Sequence, residues 1–273
     1  MQHHNWIARF LSLATVLFIM TVLLVPSVAA QRNDPHARKP NAPPTPRLPD
    51  GTPNFGSTTP NKGFWDLHQH GEYGAILVDP KDGIPYQPWA KALRDYRRDT
   101  LISKDDPEGF CLPPGGARAM TTPFPMEFIQ QPELKRIIMI YEGGGHIWRI
   151  VYMDGRPHPP DAQDFPTWTG HAIGRWEGDT LVVDTVGYNE GHWVDMGGSP
   201  RTSLHHVTER FRRLDYYTME YEATIDDPGA YTRPWTIRHN IQFDPDGEIK
   251  EYVCQENNRF LERFNNLKLK GQR

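Results

Sequence analysis

GHAIGRWEGDTLVVDTVGYN, residues 170–189, is the stretch that decides the fold. Strand-like alternation, a Glu177-Gly178-Asp179 turn signal and a Thr- and Val-rich run make a β-hairpin. Side chains alternate with a period of two, so an even-numbered loop puts His171, Ile173 and Arg175 on one side with Val182, Asp184 and Val186. The other side holds Ala172, Gly174, Trp176, Leu181, Val183 and Thr185. Both sides are substantially apolar, which argues against a sheet with one wet face. A closed barrel accommodates such a hairpin, with one face packed outward and the other lining a hollow. The set His171, Arg175 and Asp184 is expected to line the hollow; the plainer alternative is an Arg175–Asp184 cross-strand pair at a sheet edge.

Working outward, candidate strands fall at 126–131, 134–142, 146–153, 170–176, 180–187, 204–213, 218–226, 235–243 and 248–254. Intervals this short join strands as hairpins, so the expectation is an antiparallel meander, closed as a barrel or folded as a β-sandwich. Residues 88–100, PWAKALRDYRRDT, predict one helix packed against it, with Pro88 in the first turn and Trp89, Leu93 and Tyr96 as its apolar stripe.

The chain opens with Arg9, an apolar run over 10–25 and the small-residue end Val28-Ala29-Ala30, the three-part pattern of a signal peptide over 1–30. No stable membrane span is expected after its cleavage. Residues 31–62 are dense in Pro, Asn, Arg and Thr and read as a disordered linker. A single barrel domain is expected over 63–258, and 259–273 reads as a tail or short helix. The formal net charge of −4 gives no basic face for nucleic acid. The two cysteines, Cys111 and Cys254, are expected to pair in an oxidising compartment, with two independent buried thiols as the alternative.

Several familiar sites are excluded by their motifs: there is no G-x-S-x-G, H-E-x-x-H, C-x-x-C, P-loop or dinucleotide fingerprint. What remains is a set of acid, base and imidazole groups on the strands. In 235–243 the dry alternation Trp235, Ile237, Ile241 and Phe243 has His239 at its centre. In 204–213 the dry residues Val207 and Phe211 alternate with Glu209 and follow His205. A polar group buried without a partner costs a few kcal/mol, so these must pair or meet a ligand. His171, Asp184, Glu209 and His239 are the candidate acid–base groups, since a carboxylate beside an imidazole fixes its tautomer and tunes its pKa. Arg175, His205, Glu142 and His146 are candidate ligand contacts, with Trp168, Tyr188 and Trp193 as stacking aromatics at the open end. No cofactor is expected; three histidines and an acid leave a divalent metal as an alternative, without any local ligand spacing to support it.

The blocks CLPPGGARAMTTPFP (111–125), DGRPHP (154–159), PTWTGHAIGRWEGDTLVVDTVGYN (166–189), HVTERFRR (206–213) and TIDDPGAYTRPW (224–235) together resemble a family of uncharacterised exported bacterial proteins. The resemblance spans roughly 86–258 and implies export and a β-rich fold, but no activity. The strand pattern alone is also similar to lipocalin-like barrels, and fold analogy does not establish function. Two uses of the expected hollow follow from the residues: binding of a small amphiphilic or aromatic molecule, or cofactor-independent lyase, isomerase or hydrolase chemistry on a His–carboxylate pair. A surface module without a pocket is the third. The sequence leaves the oligomeric state open.

Overall fold

The structure is a computed structural model that describes residues 38–58, 62–67, 73–98, 104–145, 147–256, 258–260 and 262. The leader expected at 1–30, His146 and most of the tail lie outside the described residues. Nine strands follow one another around a closed barrel: β1 (Phe64–Asp66), β2 (Met126–Gln131), β3 (Arg136–Tyr141), β4 (Trp148–Tyr152), β5 (His171–Glu177), β6 (Thr180–Val186), β7 (His206–Arg213), β8 (Thr218–Asp226) and β9 (Trp235–Asp244). The ring closes where Trp65 of β1 lies opposite Phe243 of β9, which rules out the sandwich.

The meander is not antiparallel throughout. Directions cannot alternate all the way around a ring with an odd number of strands, so one neighbouring pair must run parallel. That pair is β4 and β5, matched only at Val151–Ala172 and Tyr152–Ile173. Parallel neighbours need a crossover, which residues 153–170 supply. The expected strand at 248–254 does not form, because β1 occupies the place beside β9 and sends Trp65 into the core.

The hairpin that decides the fold pairs Glu177 with Thr180 and Ile173 with Asp184, around a two-residue turn whose Gly178 has φ +60°. Its inner face is Ala172, Leu181, Val183 and Thr185, all buried. These meet Phe128, Phe211, Tyr221 and Ile237 from other strands in a filled interior, as expected for a barrel of this strand number. Helix α1 (Pro88–Tyr96) docks through buried Ala90, with Trp89 Nε1 donating to the Gly229 carbonyl at 2.9 Å. The expected stripe is only partly used, since Trp89 and Tyr96 stay exposed. No helix among the described residues is long and apolar enough to cross a membrane.

The described part of the expected linker is not a loose tether. Residues 38–58 lie on the barrel: Phe55 is fully buried and its carbonyl accepts from Trp65 Nε1 at 2.7 Å. Arg38 and Arg47 bind Asp215 and Asp179. One apolar anchor and these carboxylate partners offset the ordering cost that the composition alone implied.

Cys111 and Cys254 form a disulfide across a sequence separation of 143. It staples the C-terminal segment to the turn after Pro107–Phe110, helped by Lys250 N donating to Glu142 Oε2 at 2.8 Å and by the Phe124–Tyr252 ring contact. Reduction is expected to cost about 2–4 kcal/mol of stability while leaving the barrel's circular dichroism intact at room temperature. Loss of the β signal on reduction alone would contradict this placement.

Candidate functional site

The short parallel pairing of β4 and β5 opens a seam in the wall. β5 starts at His171, which this register sets level with Ile150, so the outer side chain of Trp148 lies beyond the start of β5, and the crossover passes in front of the gap. Between wall and crossover lies a cleft of about 440 Å³, within the range of small-molecule sites. Its walls are Trp148, Ile150 and Tyr152 from β4, Pro159, Ala162 and Phe165 from the crossover, and His171 from β5. Trp148 is 61% exposed and Phe165 75%, unusual for rings of this size.

His171 does not act alone. Its Nδ1 lies 2.8 Å from Nδ1 of His158, whose Nε2 is 2.8 Å from Asp184 Oδ1. The other Asp184 oxygen meets His206 Nε2 at 2.8 Å and accepts from Thr208 Oγ1 at 3.3 Å. The Tyr152 ring stacks on His171 with centroids 5.3 Å apart. A continuous chain, His171–His158–Asp184–His206, thus runs from the cleft across the outer faces of β5, β6 and β7.

The electrostatics follow from these contacts. Partial burial pushes the Asp184 carboxyl up, but hydrogen bonds and charge from His206 and His158 outweigh it and hold the pKa to about 2. The carboxylate therefore accepts from both Nε2–H groups at any ordinary pH. His206 is raised by its bond to that carboxylate. His171 is lowered by partial burial, by His158 and by Arg156. With Nε2–H of His158 committed to Asp184, the two Nδ1 atoms share one proton. The second nitrogen of His171, Nε2, has no hydrogen-bond partner among the described residues.

The expected common hollow does not exist; the candidate residues divide between the two faces of the wall. His171 and Asp184 share a face as the alternation required, but it is the outer one. Arg175 is on that face too, 60% exposed and bound to Glu177, and Ile173 instead lies opposite Asp184. Glu209 and His239 point inward, as their dry alternation implied. Glu209 takes a bidentate ion pair from Arg149 (2.6 and 3.0 Å) and a hydrogen bond from Tyr221 Oη (2.9 Å). His239 sits with its ring 5.3 Å from that of Tyr221. They belong to a packed core and not to a site open to ligand.

The loop candidates are packed down. Tyr188, Trp193 and His205 are buried, with Arg97 over the Trp193 ring and Tyr188 against His205. Trp168 lies beside His192. Glu142 holds the C-terminal segment.

Four residues that matter were not singled out: His158, His206, Thr208 and Arg149. His158 stands in DGRPHP, a loop with no periodicity to place it. His206 and Thr208 were legible in principle, because they alternate with the dry set Val207, Glu209 and Phe211 and so face outward with Asp184. Arg149 was concealed by the more apolar outer set of its own strand, Trp148, Ile150 and Tyr152.

Fold and site together define a closed nine-stranded barrel with an aromatic cleft and an imidazole–carboxylate chain on its outer wall. No protein-family model, curated protein or solved structure matches the chain.

Proposed function

We propose that this chain is an exported barrel protein that takes a small aromatic or amphiphilic molecule into the outer cleft, where His171 moves a proton on it. The observation that carries the reading is the unbroken chain from His171 through His158 to Asp184, ending at the cleft wall. When His171 Nε2 accepts a proton from substrate or a bound water, its Nδ1 proton passes to His158 Nδ1. The His158 imidazolium so formed is held by the Asp184 carboxylate, which stays ionised. The reverse transfer returns a proton to the product. This serves an elimination, an isomerisation or a hydrolysis through activated water, with no cofactor drawn on.

Two probes separate binding from proton transfer. Anilinonaphthalene sulfonate is expected to bind the wild-type cleft and to lose about tenfold in affinity in Trp148→Ala. Turnover of para-nitrophenyl acetate is expected to fall about a hundredfold in His171→Gln and in Asp184→Asn, with probe binding retained. Unchanged turnover in both variants would remove the acid–base role and leave binding alone, the reading that the exposed rings of Trp148 and Phe165 favour by themselves.

A further inference from the structure

The crossover is attached to the barrel in an unusual way. Its ends are fixed by backbone bonds, Met153 N to the Lys135 carbonyl (2.8 Å) and Thr167 N to the Gly187 carbonyl (2.9 Å). Between them, residues 154–166 are exposed except for His158 and Ala162. The backbone bonds within the segment, Ala162 N to Pro159 O and Asp164 N to Asp161 O, are local, and Arg156 pairs with Asp154. Among the described residues, the bonds of His158 to His171 and Asp184 are the only hydrogen bonds that join 154–166 to the rest of the barrel. Two other close approaches are the Arg156 guanidinium, 4.1 Å above the Tyr152 ring of β4, and Ala162, whose carbonyl oxygen would lie 2.5 Å from a Cβ at Gly187.

We propose that residues 154–166 form a proton-gated strap over the cleft, pinned while His158 and His171 share one proton between their Nδ1 atoms and released when both carry one. That the strap governs access rests on the cleft being the binding site proposed above; the pinning itself does not.

The argument is one of proton count. Two Nδ1 atoms 2.8 Å apart make a hydrogen bond only if one of them is bare. A first added proton leaves the contact intact, because it enters at His171 Nε2 or is passed to His158. A second puts two N–H groups, each on a cation, face to face. The surroundings do not absorb that charge. On the strap, Arg156 lies over the Tyr152 ring and is paired with Asp154, while Asp161 lines the cleft. On the barrel, β4 presents Tyr152, β6 presents Asp184 and β7 presents His206, which faces Asp226 across β8. In acid, Asp184 therefore confronts three imidazolium rings with Arg156 nearby, and the strap carries two of those four cations. Its carboxylate cannot hold His158 against both neighbours.

Backbone 15N relaxation on the full chain tests this, read at the amides of Asp154, Gly155, Arg156, His158 and 161–165. At about pH 7.5 the order parameters are expected near the rigid value of about 0.85, falling below about 0.6 near pH 4.5 while β7 and β8 stay rigid. In His171→Asn, where one partner no longer titrates, the strap is expected to stay rigid at both pH values; in His158→Ala it is expected to be mobile at both. A strap that is equally rigid or equally mobile at the two pH values overturns the proposal, as does acid release that persists in His171→Asn or mobility that spreads to β7 and β8. The readout needs neither ligand nor turnover, so its failure leaves the acid–base reading standing, and loss of that reading leaves the strap.

Discussion

Glu209→Gln is expected to destabilise the barrel by about 3–5 kcal/mol, because it leaves a buried guanidinium without its counter-charge. Both partners of the Arg149–Glu209 pair are almost completely buried, at 4% and 0% side-chain exposure. Taking two charges out of water costs several kcal/mol each, offset by their bidentate contact with each other and by the hydrogen bond that Tyr221 Oη donates to Glu209. Removing one charge leaves the guanidinium buried, with its Nε against Met139 Sδ and no carboxylate to balance it. For a domain of this size the melting temperature should fall by roughly 10 °C. The triple change Arg149→Met, Glu209→Leu and Tyr221→Phe, which removes the whole buried cluster, should recover most of that loss. A single variant that melts with the wild type, or a triple variant worse than the single one, would show that the pair is not the buried, self-balanced unit described.

Acid is expected to lower the stability of the folded chain through two other histidines. His192 and His205 are almost fully buried. Both are held well below the ordinary imidazole range, His192 by burial, Arg201 and His205, and His205 by burial, Arg201 and His206. The unfolded chain protonates them near the usual value of about 6.5 while the folded one does not, so below that pH the unfolded state binds more protons. Stability is then lost as pH falls, by up to about 1.4 kcal/mol per pH unit for each ring. His206 has the opposite sign: its pKa is raised, so its contribution is fully present below the unfolded value and is lost as pH rises through the folded one. As pH falls through that folded value it therefore adds stability, which offsets part of the acid loss until the unfolded value is reached. Denaturant melts across about pH 7.5 to 4.5 should show the fall, with the His192 and His205 resonances not titrating while the chain stays folded. A ring that titrates near the ordinary range in the folded protein would contradict its burial.

Much of the fold was legible because alternation is a local signal. The strands 126–131 and 218–226 form at those bounds, and the hairpin register around Gly178 follows from parity alone. The Cys111–Cys254 bridge was legible from the cysteine count together with the export that the first 30 residues lead one to expect. The closing strand was not, since three residues, Phe64–Asp66, are too few to show a period. Nor was the parallel pair, although an odd strand count in a closed ring requires one.

The site was harder for a physical reason. Alternation sorts residues into two faces but does not say which is inside when both are apolar. Val182 is fully buried although it shares the outer face with Asp184. On β4 the relation is inverted: the outer set Trp148, Ile150 and Tyr152 is the more apolar because it walls the cleft, and the inner set carries Arg149. The same seam that makes a ligand site possible thus disguised which face bore it, and the residue that completes the chain, His158, comes from a loop.

The most direct test places the ligand. Chemical-shift mapping with anilinonaphthalene sulfonate is expected to perturb Trp148, Tyr152, His171 and the strap residues Ala162 and Phe165, leaving the inward residues Val183, Ile237 and His239 unmoved. Perturbation centred on those inward residues, with the outer cleft silent, would put the site inside the barrel and contradict the outer-wall assignment.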